Sequence, residues 1–436
     1  MRFPSLVTWL GWLEQSHPKE IDLGLDRVRL VAERLDLLKP RAKVVTVAGT
    51  NGKGSCVTAT AGLLHAAKFS VGTYTSPHLL HYAERIQING KPVEDELICS
   101  AFEEIADACG LSTEGSAEIS LTYFEYGTLA ALVIFKQQSV DFIVLEVGLG
   151  GRLDAVNIID ADVAVITSIA IDHREWLGDN REVIGREKAG ILRKQQLFVC
   201  ADANPPQTIM NLATELDTKS YFIGRDFSFR QYEKKWQWQG KDHHGNLLRL
   251  LDMRAPHLPL PSMAAALQVI ELLNIKLNLQ QIETALLNIN LAGRFQKVTY
   301  KGREFILDVA HNPAATEYFF KRLTADSAQG ETFAIVAMMS DKDRVASLAN
   351  LTSLVDHWFL LDLKTIPRAA TIEALTQDLL SLGAQVSQSG DINTLIEAAL
   401  AKAQSQDRIL VFGSFFTVAA ALSYLQADAH ISRGMQ

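Results

Sequence analysis

Short runs of β-branched and other apolar residues recur along this chain, each separated from the next by a stretch with helical spacing. "KVVTVAG" (43–49), "VGTYTS" (71–76), "DFIVLEVGLGG" (141–151), "ADVAVITSI" (161–169) and "QLFVCA" (196–201) are such runs. A strand that is apolar on both faces must be covered on both faces, which is the environment of a parallel sheet. The intervening segments "SCVTATAGLLHAAKF", "DELICSAFEEIADACG", "TYFEYGTLAALVIFKQQ" and "REVIGREKAGIL" carry the spacing of the crossover helices that such a sheet requires.

The pattern changes after about residue 220. "DFSFRQYEKKWQWQGKDHHGNLLRLLDM" alternates with period two around a turn-rich middle, which predicts a small antiparallel sheet with His243 and His244 in a turn. A helix follows in "SMAAALQVIELLN", and near 292–300 the strand–helix alternation restarts with "REFILDVA", "TFAIVAMM", "DHWFLLDL" and "RILVFGS" as strands. At 436 residues the chain is long enough for two cores. The expected class is α/β: an N-terminal P-loop-type, mostly parallel sheet domain with a small antiparallel sheet (1–292), then a C-terminal Rossmann-like α/β domain (293–436).

Composition narrows the partners. The apolar runs fall far short of the ~20 residues of a membrane span. The apolar beginning "MRFPSLVTWLGWLEQSHP" lacks the small-residue cleavage pattern of a signal peptide, so it is read as an amphipathic helix of a cytoplasmic protein. Cysteines at 56, 99, 109 and 200 form no C-x-x-C pair, which argues against zinc and a disulfide framework. The net charge, 42 − 50 = −8, argues against non-specific nucleic-acid binding. Any anionic substrate must then be met by local positive charge.

"GTNGKGS" (49–55) follows the first strand and opens the first helix. It is shorter than the common phosphate loop, and a glycine stands between its lysine and its hydroxyl residue. Gly52 and Gly54 permit close backbone approach, the N–H groups around Asn51 favour an anion, Lys53 can reach outer phosphates, and Ser55 offers a hydroxyl. An ordinary glycine-rich turn is the plainer reading. In open α/β sheets ligands gather at the carboxyl ends of strands, and these ends carry Ser76 and His78, Glu146 with Arg152 and Asp154, and Asp172 with His173. A carboxylate inside "FIVLEVGL" needs a cation or donor. A magnesium ion and an ion pair with Arg152 are the two readings of Glu146. His173 alone is more often a structural hydrogen-bonder. In the second half, Arg294 in "AGRFQ" and Asp308 and His311 in "LDVAHNP" stand at the boundary and at the end of a strand; a salt bridge and a cap are their plain alternatives.

In order, "LGLDRV", "GTNGKGS", "TSPHL", "ERI", "EVGLGGRLDAVN", "SIAIDHREWLG", "GREKAGI", "GRFQ", "DVAHNP" and "DKD" resemble the motifs of the folylpolyglutamate synthase/dihydrofolate synthase family, within the Mur-type ATP-dependent amide ligases. The resemblance spans nearly the whole chain. It implies that a carboxylate of dihydropteroate or of a reduced folate is activated by ATP as an acyl phosphate, then joined to the amine of L-glutamate. It implies ATP contacts from Asn51, Gly52, Lys53, Gly54, Ser55, Arg294 and Asp308. It implies two Mg2+ ions on Ser76, Glu146, His173 and Lys188, the last as a carbamate, with Lys53, Lys188 and His311 serving catalysis. It implies a pterin and substrate pocket from Asp26, Arg27, Val28, Thr122, Tyr123, Phe124, Arg152, Leu153, Asp154 and Ala155, in a monomer with small-molecule substrates only. An unmodified Lys188, and an Asp154 paired with Arg152, stay open. So do a folylpolyglutamate synthase alone, a muramyl-peptide ligase, a kinase and a non-catalytic nucleotide-binding regulator. The muramyl reading is disfavoured because so little chain precedes Gly49. Two departures stand out: Ser262 in "LPLPSM", where the family often has a nucleotide-contacting asparagine, and Val156 in "DAVN", where threonine is common.

Overall fold

In the computed structural model, all residues are described except 1, 20, 113–116, 327–328 and 434–436. The first strands are β1 (Lys43–Ala48), β2 (Val71–Tyr74), β3 (Ile86–Ile88), β4 (Lys91–Pro92), β5 (Phe142–Glu146), β6 (Val163–Ile166), β7 (Leu197–Cys200) and β8 (Lys219–Phe222). They form one sheet in the order β4-β3-β2-β5-β1-β6-β7-β8. The pairs from β2 through β8 are parallel, and the short β3 and β4 run antiparallel at one edge. The runs that are apolar on both faces are the inner strands: β1 is buried from Val44 onward, and β5 and β6 are buried throughout.

The order places β1 between β5 and β6. From β1 the chain passes beyond β5 to reach β2, and it later crosses from β5 to β6. The carboxyl end of β1 is therefore a topological switch point, the crevice in which open α/β sheets bind ligands.

The helix Lys53–Ala66 continues directly from that end. Cys56, Val57, Ala59, Leu63 and Leu64 are fully buried on it, because the sheet covers one side and the helices Leu260–Leu272 and Leu279–Leu287 cover another. Each leucine so buried contributes about 2 kcal/mol. A third layer holds this assembly. The strands β9 (Ser228–Tyr232), β10 (Lys235–Lys241) and β11 (Leu247–Arg254) form the antiparallel sheet that the period-two alternation predicts, with His243 and His244 in its β10–β11 turn. Trp236, Trp238 and Met253 are buried, and the Trp238 indole donates to the Ala264 carbonyl at 3.1 Å. That contact fixes the helix whose first turn carries Ser262.

The chain divides into two compact units between Ile289 and Asn290. The second unit contains β12 (Gln296–Tyr300), β13 (Arg303–Asp308), β14 (Thr332–Val336), β15 (His357–Leu361), β16 (Val386–Gly390) and β17 (Arg408–Phe412), ordered β12-β13-β17-β14-β15-β16. All its pairs are parallel except β12 with β13. Pro313 opens the helix Pro313–Ala325, and the Asn312 side chain caps it, as a proline at the first helical position allows. All four cysteines are free and buried, and burial pushes the Cys56 and Cys200 thiols up to about 12. No described helix is long and apolar enough to cross a membrane.

Candidate active site

The loop from Gly49 to Ser55 is built and pinned. Its partners come from the segment after β6. The Thr50 N–H donates to the Ser168 carbonyl at 2.6 Å and the Asn51 N–H to Ser168 Oγ at 3.1 Å. Thr167 Oγ1 donates to the Asn51 carbonyl at 2.8 Å, and Thr50 Oγ1 accepts from the Ala170 N–H at 3.0 Å. From the other side, Ser262 Oγ donates to the Gly52 carbonyl at 3.1 Å. Glycine is required at two points. Gly49 has φ 145°, and a Cβ there would overlap Thr167 Oγ1. Gly52 has φ 85° and immediately precedes the helix, a left-handed position that costs other residues strain.

The cradle suits a phosphate and its metal. Ser55 Oγ is buried and has no hydrogen-bond partner among the described residues. An orphaned buried hydroxyl in the first turn of a helix, facing no protein partner, has the chemistry of a ligand oxygen. The Lys53 amine is half-buried and rests on the Thr50 carbonyl at 3.3 Å.

Glu146 ends β5 beside β1, in register with Val47. It is 6% exposed, and its Oε2 accepts the Ser76 N–H at 3.2 Å. The β1–β5 register and the acceptor bond bring Ser76 and Glu146 together next to the loop. Arg152, offered above as a partner for Glu146 or Asp154, takes neither. It pairs with Glu187 at 3.1 Å, because its side chain leaves the turn toward the helix Arg181–Ala189, whose Glu187 carbonyl also accepts the Arg152 N–H at 2.9 Å. Lys188 lies on that helix. It is 4% exposed, and its Nζ donates to the Gly49 carbonyl at 2.9 Å. Burial, then the charge of Lys53, pulls its amine down to about 7, against the opposing pull of Asp172 and Asp154. An amine lowered into that range is partly uncharged near neutral pH, unlike an ordinary lysine. His173 caps the short helix Arg174–Leu177 in a left-handed conformation, φ 52°, and its N–H donates to Asp172 Oδ1 at 2.8 Å. No cluster of three or more His, Cys, Asp or Glu side chains with metal-binding spacing occurs among the described residues; a set drawn from Ser76, Glu146, His173 and a modified Lys188 contains only two such residues.

The substrate-side candidates separate. Asp154 is buried, and its carboxylate accepts the N–H groups of Leu149 at 2.8 Å and Val156 at 3.1 Å. Burial pushes it up to about 6 despite those donors. Asp26, the other carboxylate expected to meet a pterin, is exposed. Arg27 is held by Asp22 at 2.7 Å and by the buried Glu125 at 3.1 Å, while Val28 is fully buried. Thr122 caps the helix Tyr123–Gln137; Ala155 is buried and Leu153 half-buried. Phe124 stacks obliquely on Tyr74 at 5.8 Å, and Tyr123 meets Tyr82 edge-on at 5.6 Å. Arg85 lies 5.4 Å from the Tyr82 ring and 5.5 Å from that of Tyr123. The Tyr82 hydroxyl is buried without a partner among the described residues. Tyr74, Tyr82 and Arg85 were not singled out from the sequence. The pairing of an aromatic strand end with the arginine of "ERI" is the signal that was available.

In the second unit, Asp308 Oδ2 accepts the Phe295 N–H at 2.8 Å and Oδ1 the Ala310 N–H at 2.9 Å. Burial raises this carboxyl, and the neighbouring Arg294 opposes the shift. The Arg294 guanidinium lies over the Phe415 ring at 5.1 Å. His311 Nδ1 is bonded to the Val309 carbonyl at 2.8 Å; since a carbonyl only accepts, Nδ1 carries the proton.

A pinned glycine cradle at the switch point of a parallel sheet, followed by a second parallel α/β unit, is the class of architecture that Mur ligases use. The Mur ligase middle domain model matches residues 47–296, and the Mur ligase, glutamate ligase domain model matches 293–415. A dihydrofolate synthase/folylpolyglutamate synthase of Escherichia coli is 43% identical over 97% of this chain and 96% of its own length. Among solved structures, E. coli FolC in complex with DHPP and ADP superposes with a TM-score of 0.91 at 42% identity, covering 98% of this chain and 99% of that one. A bifunctional folylpolyglutamate synthase/dihydrofolate synthase with Mn, AMPPNP and L-glutamate bound does so with a TM-score of 0.88 at 43% identity, covering 98% and 99%. The chain belongs to the dihydrofolate synthase/folylpolyglutamate synthase family of Mur ligases.

Proposed function

We propose that this chain is an ATP-dependent amide ligase that adds L-glutamate to dihydropteroate, forming dihydrofolate, and to the γ-carboxylate of reduced folates. The observation that carries the reading is the pinned cradle itself, with the buried Ser55 hydroxyl, which has no hydrogen-bond partner among the described residues, in its first helical turn. The full-length relatedness to dihydrofolate synthase/folylpolyglutamate synthases supports the substrate class.

The substrate carboxylate attacks the γ-phosphorus of ATP, the bond to the β-phosphate oxygen breaks, and ADP leaves. The resulting acyl phosphate is attacked by the neutral amine of glutamate; the amide forms, the amine loses a proton and inorganic phosphate departs. Neither step needs covalent help from the protein, so positioning and charge neutralisation carry the catalysis. The loop N–H groups and Lys53 meet the phosphates. Ser76, Glu146, His173 and Lys188 as a carbamate would hold two Mg2+ ions, and the Ser55 hydroxyl would serve the triphosphate. A bound divalent cation supplies neutralisation of phosphate charge and a Lewis acid for the transferring group. The lowered Lys188 amine supports the carbamate, because only an uncharged amine adds CO2. Asp154 and the ring cluster around Arg85 receive the pterin. Arg294 and Asp308 are proposed for the nucleotide and His311 for the incoming glutamate.

The test is release of ADP by purified protein with ATP, magnesium and dihydropteroate, with and without L-glutamate. The reading expects release that requires glutamate and a product with the mass of dihydrofolate. Glutamate-independent release would mark a kinase or ATPase instead. Extension of tetrahydrofolate with no action on dihydropteroate would restrict the enzyme to polyglutamylation.

A further inference from the structure

Phe295 is a conformational outlier in the second unit. It is 7% exposed, yet its φ of 48° holds a bulky aromatic residue in the left-handed region, where its Cβ crowds the backbone. Such a conformation persists only where the surroundings over-determine it. The Phe295 N–H donates to Asp308 Oδ2 at 2.8 Å. On the preceding residues, the Gly293 N–H donates to Gln296 Oε1 and the Gly293 carbonyl accepts from the Val309 N–H, both at 2.9 Å. The Phe295 ring meets Phe319 edge-on at 5.8 Å. Over its face lies Arg322, from the helix Pro313–Ala325, with the guanidinium carbon 3.8 Å from the ring centroid. That is well inside the range of a cation–π contact, and a planar, weakly hydrated guanidinium is the cation best suited to it.

Arg294 immediately precedes this residue. The φ of Phe295 sets the direction in which the chain leaves Arg294, and the same N–H that is fixed by that turn holds the Asp308 carboxylate. We propose that Arg322 is a positioning residue for the nucleotide: by stacking on Phe295 it holds the left-handed turn that orients Arg294 and Asp308. The inference rests on the nucleotide role given above to Arg294 and Asp308.

The experiment uses the full chain. Arg322→Met keeps length and apolar bulk and removes the charge. It should raise KM for ATP, and Kd for ADP by calorimetry, roughly 3- to 30-fold, the span of a partly desolvated cation–π contact. KM for glutamate should stay within about twofold, because the contact acts through Arg294 and Asp308. Arg322→Lys, which keeps a cation over the ring, should recover part of the loss. Arg322→Met and Phe295→Leu should be non-additive, as coupled partners are. A folded Arg322→Met with wild-type ADP affinity overturns the proposal, even if its melting temperature falls, since that is a purely structural role. Should Arg322→Met fail to fold, Phe295→Leu decides: unchanged ADP affinity in that variant overturns the proposal, and a loss supports it. Arg294→Met separates the two levels. Unchanged ADP affinity there defeats the nucleotide role of Arg294 and the proposal with it, whereas a loss there without one in Arg322→Met defeats the proposal alone.

Discussion

Replacing Gly52 by alanine should weaken the fold and the nucleotide site together, and the cost can be worked from the loop geometry. Gly52 has φ 85° and ψ 1°; holding an L-residue there costs about 1–2 kcal/mol. The new Cβ would stand 2.7 Å from Ser262 Oγ, so the hydroxyl must move and its 3.1 Å bond to the Gly52 carbonyl is lost. A typical net value for such a bond is roughly 0.5–1.5 kcal/mol. Against this, alanine restricts the unfolded chain and returns about 0.4–1 kcal/mol. The balance is a destabilisation of about 2 kcal/mol, the sum of these terms. Urea unfolding read by tryptophan fluorescence measures it, and calorimetry with ADP measures the accompanying loss of affinity. Ser262→Ala removes the clash but not the backbone strain, so Gly52→Ala with Ser262→Ala should cost less than the two single changes added. A Gly52→Ala protein with the wild-type urea midpoint and wild-type ADP affinity would refute the reasoning, because the loop would then tolerate both the φ and the contact.

Three further outcomes are expected. Glu146→Gln keeps the shape at the end of β5 and the acceptor for the Ser76 N–H but removes the charge; it should lower magnesium-dependent turnover by at least the roughly 10- to 100-fold that disturbing a metal's outer shell costs, and an unchanged magnesium titration would leave Glu146 a structural residue. Lys188→Ala should abolish activity, with partial recovery on adding a short carboxylic acid; intact-mass or density data showing a bare amine in active, bicarbonate-equilibrated protein would count against the carbamate. Asp154, pushed up to about 6 from an ordinary 3.8, binds its proton more tightly folded than unfolded. Its contribution to stability therefore falls as pH rises from about 4 to about 6; Asp154→Asn should flatten that slope in urea titrations, and an identical slope would rule the group out.

Much of the fold was legible because its signals are local. β1, β5, β6 and β17 are inner strands, so each is a continuous apolar run that cannot be satisfied at a surface. β16, "VSQSG", is an edge strand with half-exposed, polar alternation, and β8, "KSYF", is another edge strand, exposed at Lys219 and half-buried at Ser220 and Tyr221; neither stood out. The helices Leu279–Leu287 and Ile392–Lys402 were passed over too, although Asn278 and Asp391 cap them and were readable as start signals. Within the site, Lys53 and Ser55 were visible as a spacing in one short segment. What holds them was not: Thr167 and Ser168 reach the loop across more than a hundred residues, and Ser262 reaches Gly52 across 210. Ser262, which stands where the family often has a nucleotide-contacting asparagine, donates to the loop carbonyl of Gly52. Arg152 illustrates the same limit. Sequence proximity offered Asp154 or Glu146 as its plain partner, but Glu187 on a neighbouring helix takes it.

The most direct measurement is product formation by the purified chain with ATP, magnesium, L-glutamate and dihydropteroate, followed by mass spectrometry and by ADP release. The account predicts dihydrofolate appearing with one ADP per amide formed, and almost no ADP when glutamate is left out. Well-folded protein that binds ADP but yields no dihydrofolate and no extended folate, or that releases ADP equally without glutamate, would contradict it.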